Sequence, residues 1–157
     1  MQPTDLDLPT LAGLAGGGIV HVMIDRMRAA GFEGVKPSHG YVLQRLVEGE
    51  PTITALAESL GMTQQGASKQ VRDLEALGYV ERVTVSGDQR ARRVRLTRQG
   101  LRMLDGARKV RGDIEAEILE QVGAQQLKAA KVTLAALLTI AGLDERVRTR
   151  SVPVPDR

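Results

Sequence analysis

The stretch TITALAESLGMTQQGASKQVRDLEALGYV, Thr52–Val80, decides the fold. Its apolar residues form two helical sets separated by Gly61. In the first, Ile53, Leu56, Ala57 and Leu60 share a face, Thr52 offers an N-cap oxygen, and Gly61 supplies the tight turn that ends the helix. In the second, Thr63 is the cap, Ala67, Val71, Leu74 and Leu77 recur at steps of four, three and three, and Gly78 is the stop. Gln65, Ser68, Lys69 and Arg72 fall on the opposite, polar face. Two short helices joined by a glycine-containing turn, the second with a polar outer face, make a helix-turn-helix.

Directly after it the periodicity changes from helical to alternating. The pattern predicts two short strands, Val80 to Val85 and Arg92 to Thr97, joined by a loop of sequence SGDQRA. In the second strand Val94 and Leu96 alternate with Arg93 and Arg95, giving one apolar and one cationic face. Upstream, apolar residues from Leu8 to Met27 predict a first helix, and Val42, Leu43, Leu46 and Val47 a short second one capped by Ser38 after Pro37. The run Gly16, Gly17, Gly18 weakens the first helix by about 0.5–1 kcal/mol per glycine. A kink, a late start or close packing against a partner would each account for it. Downstream, Leu101, Leu104, Val110, Ile114 and Ile118 mark a long helix, a turn follows near Gly123, and Leu127 to Leu138 mark the last helix before Gly142.

The expected fold is therefore mainly α with a small β-hairpin wing: a winged helix-turn-helix flanked by N- and C-terminal dimerisation helices. The expected divisions are 1–36 for the N-terminal dimerisation region, 37–100 for the winged helix-turn-helix, 101–142 for the C-terminal dimerisation helices, and 143–157 for a mobile tail. The amphipathic helices at both ends carry more apolar surface than one winged domain can cover, which points to a homodimer.

Composition narrows the chemistry. Arginine outnumbers lysine 17 to 5 in a chain of 157 residues with a net charge of +3. Between Thr63 and Gly100 eight basic residues face four acidic ones, a local net charge of +4, so the rest of the chain carries −1. Cationic charge concentrated on a helix-turn-helix is the footprint of phosphate contacts. Glutamine can pair with adenine and arginine with guanine, while serine and lysine hold phosphate. With only Phe32, Tyr41 and Tyr79 as aromatic residues, stacking on unpaired bases is disfavoured. The absence of cysteine excludes disulfides, zinc fingers and thiol redox sensing. The motifs of hydrolases, zinc proteases and phosphate-binding loops are missing, so no enzyme activity, cofactor or metal is expected. His21 and His39 lack a metal-ligand pattern; His39 is a weak candidate for a ligand contact, with a packed or capping role as the plainer alternative. No run is expected to reach the ~18–20 apolar residues of a membrane span, nor to form a signal peptide, and the cytoplasm is the expected location.

The same residues resemble a known family. LAESLGMTQQGASKQVRDLEALGYVERV is similar to the helix-turn-helix and first wing strand of the multiple-antibiotic-resistance regulators, the MarR family. SGDQRARRVRLTRQG resembles its wing, with Asp88 and Arg90 as an Asp-x-Arg pair, then Leu96, Thr97 and Gly100. The resemblance implies a symmetric dimer on a palindromic duplex operator, with Arg90 in the minor groove, Asp88 orienting it, and Thr97 capping the next helix. It also implies repression relieved by a small molecule bound between the dimer and DNA-binding regions. The expected DNA contacts are Thr63, Gln64, Gln65, Ser68, Lys69, Arg72, Asp88, Arg90, Arg92 and Arg93. The competing expectation is a winged-helix module that docks an acidic protein.

Overall fold

The computed structural model describes residues 2–85, 88–143 and 147, with the main chain alone at 85 and 88–91. Its elements run α1 (Leu8–Ala29), α2 (Pro37–Leu46), α3 (Ile53–Leu60), α4 (Gln64–Ala76), β1 (Val80–Val85), β2 (Asp88–Leu96) and α5 (Arg98–Ile140).

The caps read from the central stretch form. Thr52 Oγ1 accepts the Ala55 N–H at 3.2 Å, and Gly61 ends α3 in the left-handed region at φ 62°. Thr63 Oγ1 accepts the Gly66 N–H at 3.0 Å to open α4. At α2 the cap differs from expectation. Pro37 takes the first helical position, where its missing N–H costs nothing, so Lys36 is the N-cap residue and Ser38 lies inside the helix.

β1 and β2 are antiparallel, in register from Val80 opposite Leu96 to Thr84 opposite Arg92. β2 begins at Asp88, whose main chain pairs with Val85 past an irregularity at Thr84/Val85. Asp88 and Arg90 are thus strand residues, not loop residues as expected. A ribbon held by its backbone ladder needs no apolar alternation, so hydrophobic pattern alone cannot find its outer end. Near its base the ribbon gains a third contact: Val94 N–H donates to Pro51 O at 2.9 Å, beside an antiparallel bridge between Thr52 and Arg93.

One cluster fills the centre: Val42, Leu43 and Leu46 of α2, Leu56 and Leu60 of α3, Val71 and Leu74 of α4, Tyr79, Val80 and Val94 of the hairpin, and Met103, Val110 and Ile114 of α5, with Met27 of α1. Each fully buried leucine contributes about 1.5–3 kcal/mol. The hairpin base and α5 meet at a junction that fixes both. Thr97 Oγ1 donates to Gly78 O at 2.6 Å and accepts the Gly100 N–H at 3.1 Å, while Thr97 N–H donates to Tyr79 O at 3.1 Å.

α5 is broken at Gly123, whose φ of 80° and ψ of 165° leave the helical region. The arms fold back on one another, since Lys131 Nζ reaches Glu115 Oε1 at 2.5 Å across the break. This is the turn expected near Gly123. α1 runs unbroken through its glycines from an Asp7 cap, whose side chain accepts the Thr10 N–H at 2.9 Å, so the glycines cause neither a kink nor a late start. Its C-terminal end docks through buried Met27 and a two-pronged ion pair from Arg26 to Glu117, at 2.5 and 2.7 Å. Contrary to the sequence expectation, α1 is by length and composition long and apolar enough to cross a membrane. Its glycines and alanines extend the apolar stretch up to the charges at Asp25 and Arg26.

Gly100 provides a sign test. An added Cβ would collide with the Tyr79 carbonyl oxygen, whereas one on Gly40 in α2 meets nothing within 4 Å. Glycine to alanine within a helix normally stabilises by about 0.5–1 kcal/mol. Gly40→Ala should follow that rule, and Gly100→Ala should instead lose about 1–3 kcal/mol in denaturant melts, as overpacking does.

Candidate nucleic-acid interface

α4 is held by its apolar side, with Ala67, Val71 and Leu74 fully buried. That rotation turns Gln65, Lys69 and Arg72 to solvent, together with Thr63 and Gln64 at the start of the helix. Ser68 is half-buried. Gln64 is already oriented: its Nε2 donates to Thr54 Oγ1 of α3 at 2.9 Å, leaving the amide oxygen available as an acceptor. One exposed helical face therefore collects amide and cationic groups, the set that can read base edges and grip phosphate.

The wing arginines divide by task. Arg92 and Arg93 are both exposed. Arg93 also donates from Nη1 to the Glu50 carbonyl at 3.0 Å, tying the ribbon to the segment before α3. Arg95 is spent across the ribbon, Nε to Glu81 Oε1 at 2.8 Å, opposite its register partner. Arg82 lies 3.5 Å from Glu75 of α4. The side chains of Asp88 and Arg90 lie outside the described residues, as does the tail expected over 143–157 apart from Leu143 and Val147.

A polar seam between α2 and α4, absent from the sequence reading, backs this face. Lys36 Nζ donates to Asp73 Oδ2 at 2.9 Å, and Ser38 Oγ lies 3.2 and 3.1 Å from the Gln70 amide oxygen and nitrogen. The Lys36 hydrogen bond holds the Asp73 carboxyl below the usual carboxylate range. Between these pairs sits His39, with no solvent exposure. Its Nδ1 accepts the Lys36 backbone N–H at 3.2 Å, so the ring proton is on Nε2, which finds no hydrogen-bond partner and lies 4.0 Å from Asp73 Oδ2. Burial, then the Lys36 charge, push the His39 pKa below its ordinary value, and Asp73 acts in the opposite direction. The sequence signal for the seam was slight, because Gln70 and Asp73 lie between the apolar and exposed faces of α4.

A family model described as the MarR family matches residues 33–91, the segment that holds α2, α3, α4, β1 and the start of β2. Over that segment the winged helix-turn-helix is similar to the MarR family. Solved structures extend the likeness over most of the chain. MepR, described as a transcription regulator of the Staphylococcus aureus multidrug efflux pump MepA, has a TM-score of 0.69 at 16% identity, covering 87% of this chain and 99% of that one. Escherichia coli MarR in its apo form gives 0.63 at 18% identity, over 85% and 98%. An S. aureus MepR–DNA complex gives 0.64 at 17% identity, over 87% and 99%. At such identities the agreement establishes the fold: the helices flanking the matched segment, and not that segment alone, follow the architecture of those structures.

The cap of α4 carries a direct expectation. Thr63→Ala removes the oxygen that holds the Gly66 N–H and should cost about 0.5–2 kcal/mol of stability. Thr63→Ser should recover most of it, both read from urea midpoints.

Proposed function

We propose that this chain is a homodimeric, sequence-specific regulator of transcription that binds duplex DNA from the cytoplasm and represses until a small molecule relieves it. The observation that carries the reading is the exposed face of α4, with Gln64, Gln65, Lys69 and Arg72, together with the exposed Arg92 and Arg93 of the wing. A recognition helix of this kind enters a major groove with its N-terminal residues on base edges. Arg90 is assigned to the flanking minor groove, whose negative potential attracts arginine, with Asp88 orienting it. That the MepR structure of similar fold is a complex with DNA supports the DNA-binding reading.

Dimerisation follows from apolar surface left uncovered. On α1, Leu8, Leu14, Ile19 and Val22 are 38–63% exposed, and on the arms of α5 Ile118, Leu119, Val122, Val132 and Leu134 are 40–65% exposed. A monomer would present these helices to water, and a second copy would cover them. Relief by a ligand is supported by a cleft of about 470 Å³ between α1, α2 and α5, lined by Met23, Met27, Val35, Tyr41, Met103 and Arg111. Its size and largely apolar wall suit a small organic molecule, and Arg111 favours an acidic one.

Selection of bound sites from random duplexes is the direct test, and it should return one palindrome. Arg72→Ala should then lose about 1–3 kcal/mol on that site and discriminate less between sites. An equal loss on every sequence would make Arg72 a phosphate contact, and no duplex binding at low salt would end the proposal. Sedimentation at micromolar concentration should show a dimer, and a stable monomer would contradict that part of the reading.

A further inference from the structure

His39 is the buried polar residue of a core that is otherwise apolar among the described residues, and it stands where α2 meets the proposed recognition helix. We propose that His39 is a positioning residue for DNA binding: in its neutral form its Nδ1 caps α2 where that helix packs on α4, a latch that protonation in acid opens, weakening operator binding. The inference rests on the DNA-binding reading above.

The geometry makes the latch depend on one proton. His39 is the third residue of α2, and its Nδ1 takes the backbone N–H of the N-cap residue Lys36. A proton on Nδ1 would set two donors face to face and abolish that cap. It would also place a full positive charge at a helix N-terminus, where the backbone already presents partial positive charge. The charged groups acting on the ring are Lys36 and Asp73. Asp73, on α4, is held by Lys36 and also feels Lys69. An imidazolium would compete with Lys36 for Asp73, whose Oδ2 is 4.0 Å from Nε2. α3 and β2, which also pack on α2, bring the apolar residues Leu56, Leu60 and Val94 to the shared core. On either route the seam of Lys36, Ser38, Gln70 and Asp73 must rearrange, and Gln70 and Asp73 belong to the helix whose outer face carries Lys69 and Arg72.

The direction of the pH effect follows. The folded state holds His39 below its ordinary pKa of 6.5, so the unfolded chain binds the proton first. Above that pH both states are neutral and the full stability is present. As pH falls below it, the folding equilibrium weakens by up to about tenfold per pH unit. A new positive charge would by itself favour DNA, so weaker binding in acid is the opposite of simple electrostatics.

The test uses the full chain with its selected duplex at constant ionic strength. As pH is lowered from 7.5 through the midpoint at which the His39 ring titrates in the folded chain, wild-type affinity should fall at least severalfold. His39→Gln keeps an acceptor suited to the third helical position and cannot titrate in this range. It should bind as wild type at pH 7.5 and lose the acid response. Equal pH profiles for the two proteins would overturn the proposal. Should the variant fail to fold, the wild type still decides. The chain has two histidines, so His21→Gln assigns the imidazole proton resonances. The His39 resonance should titrate below 6.5 and be tracked by the backbone amides of Gln70 and Asp73. Titration of His39 at or above 6.5, or with those amides unmoved, would overturn it. Failure of duplex binding at every pH would instead remove the DNA-binding reading, and the amide titration would still judge the latch.

Discussion

The hydroxyl of Thr97 is the point on which the rest of the molecule turns. One oxygen donates to the carbonyl of Gly78, where the α4 segment ends, and accepts the amide of Gly100, where α5 begins. Around it the Tyr79 carbonyl takes the Thr97 amide and sits so close to Gly100 that no side chain fits there. The exit of α4, both strands at the base of the wing, and the start of the long helix are thereby held within one cluster of bonds. Each bond alone is worth about 1 kcal/mol, but they share atoms and cannot be broken singly. The spacing Leu96, Thr97, Gly100 is the sequence trace of this junction: a residue for the core, a cap, and a gap for a carbonyl.

This explains which parts of the structure could be read from sequence. Caps and stops are local events between residues three or four apart, so Thr52, Gly61, Thr63, Gly78 and the Gly123 break were legible without knowing what packs against them, while the Thr97 cap was implied by the family resemblance. The buried faces of α3 and α4 were equally plain, since spacing alone defines them. The start of β2 was not, because pairing between main chains leaves no mark on a run of Asp, Gln and Arg. Ser38 misled because serine near a helix start reads as a cap, whereas Pro37 occupies the first helical position and moves the cap to Lys36.

The candidate interface was legible in part. The exposed face of α4 follows from the position of its apolar face, and Gln65, Lys69 and Arg72 stand where the periodicity put them. What supports that face was not legible. Thr54 on Gln64, Glu50 O on Arg93, and Lys36 on Asp73 link residues 10, 43 and 37 apart, and no local pattern announces such partners. They also separate arginines that composition treats alike: Arg95 is occupied by Glu81 and Arg93 braces the wing, while Arg72 is turned outward. A net charge of +4 over the segment locates the cationic surface but does not say which charges are free to act.

The two helical flanks are secured on very different terms. The arms of α5 are joined by Lys131 and Glu115, 16 residues apart, while α1 is joined to α5 by Arg26 and Glu117, 91 residues apart. Closing the longer loop costs about 1.5 kcal/mol more chain entropy than closing the shorter one. The α5 hairpin can therefore organise from its own neighbourhood, needing little beyond a glycine that permits the reversal. α1 is held to α5 across the whole intervening winged module, so its place depends on that module being compact. The position of the first helix in the sequence therefore reports on whether everything between has folded.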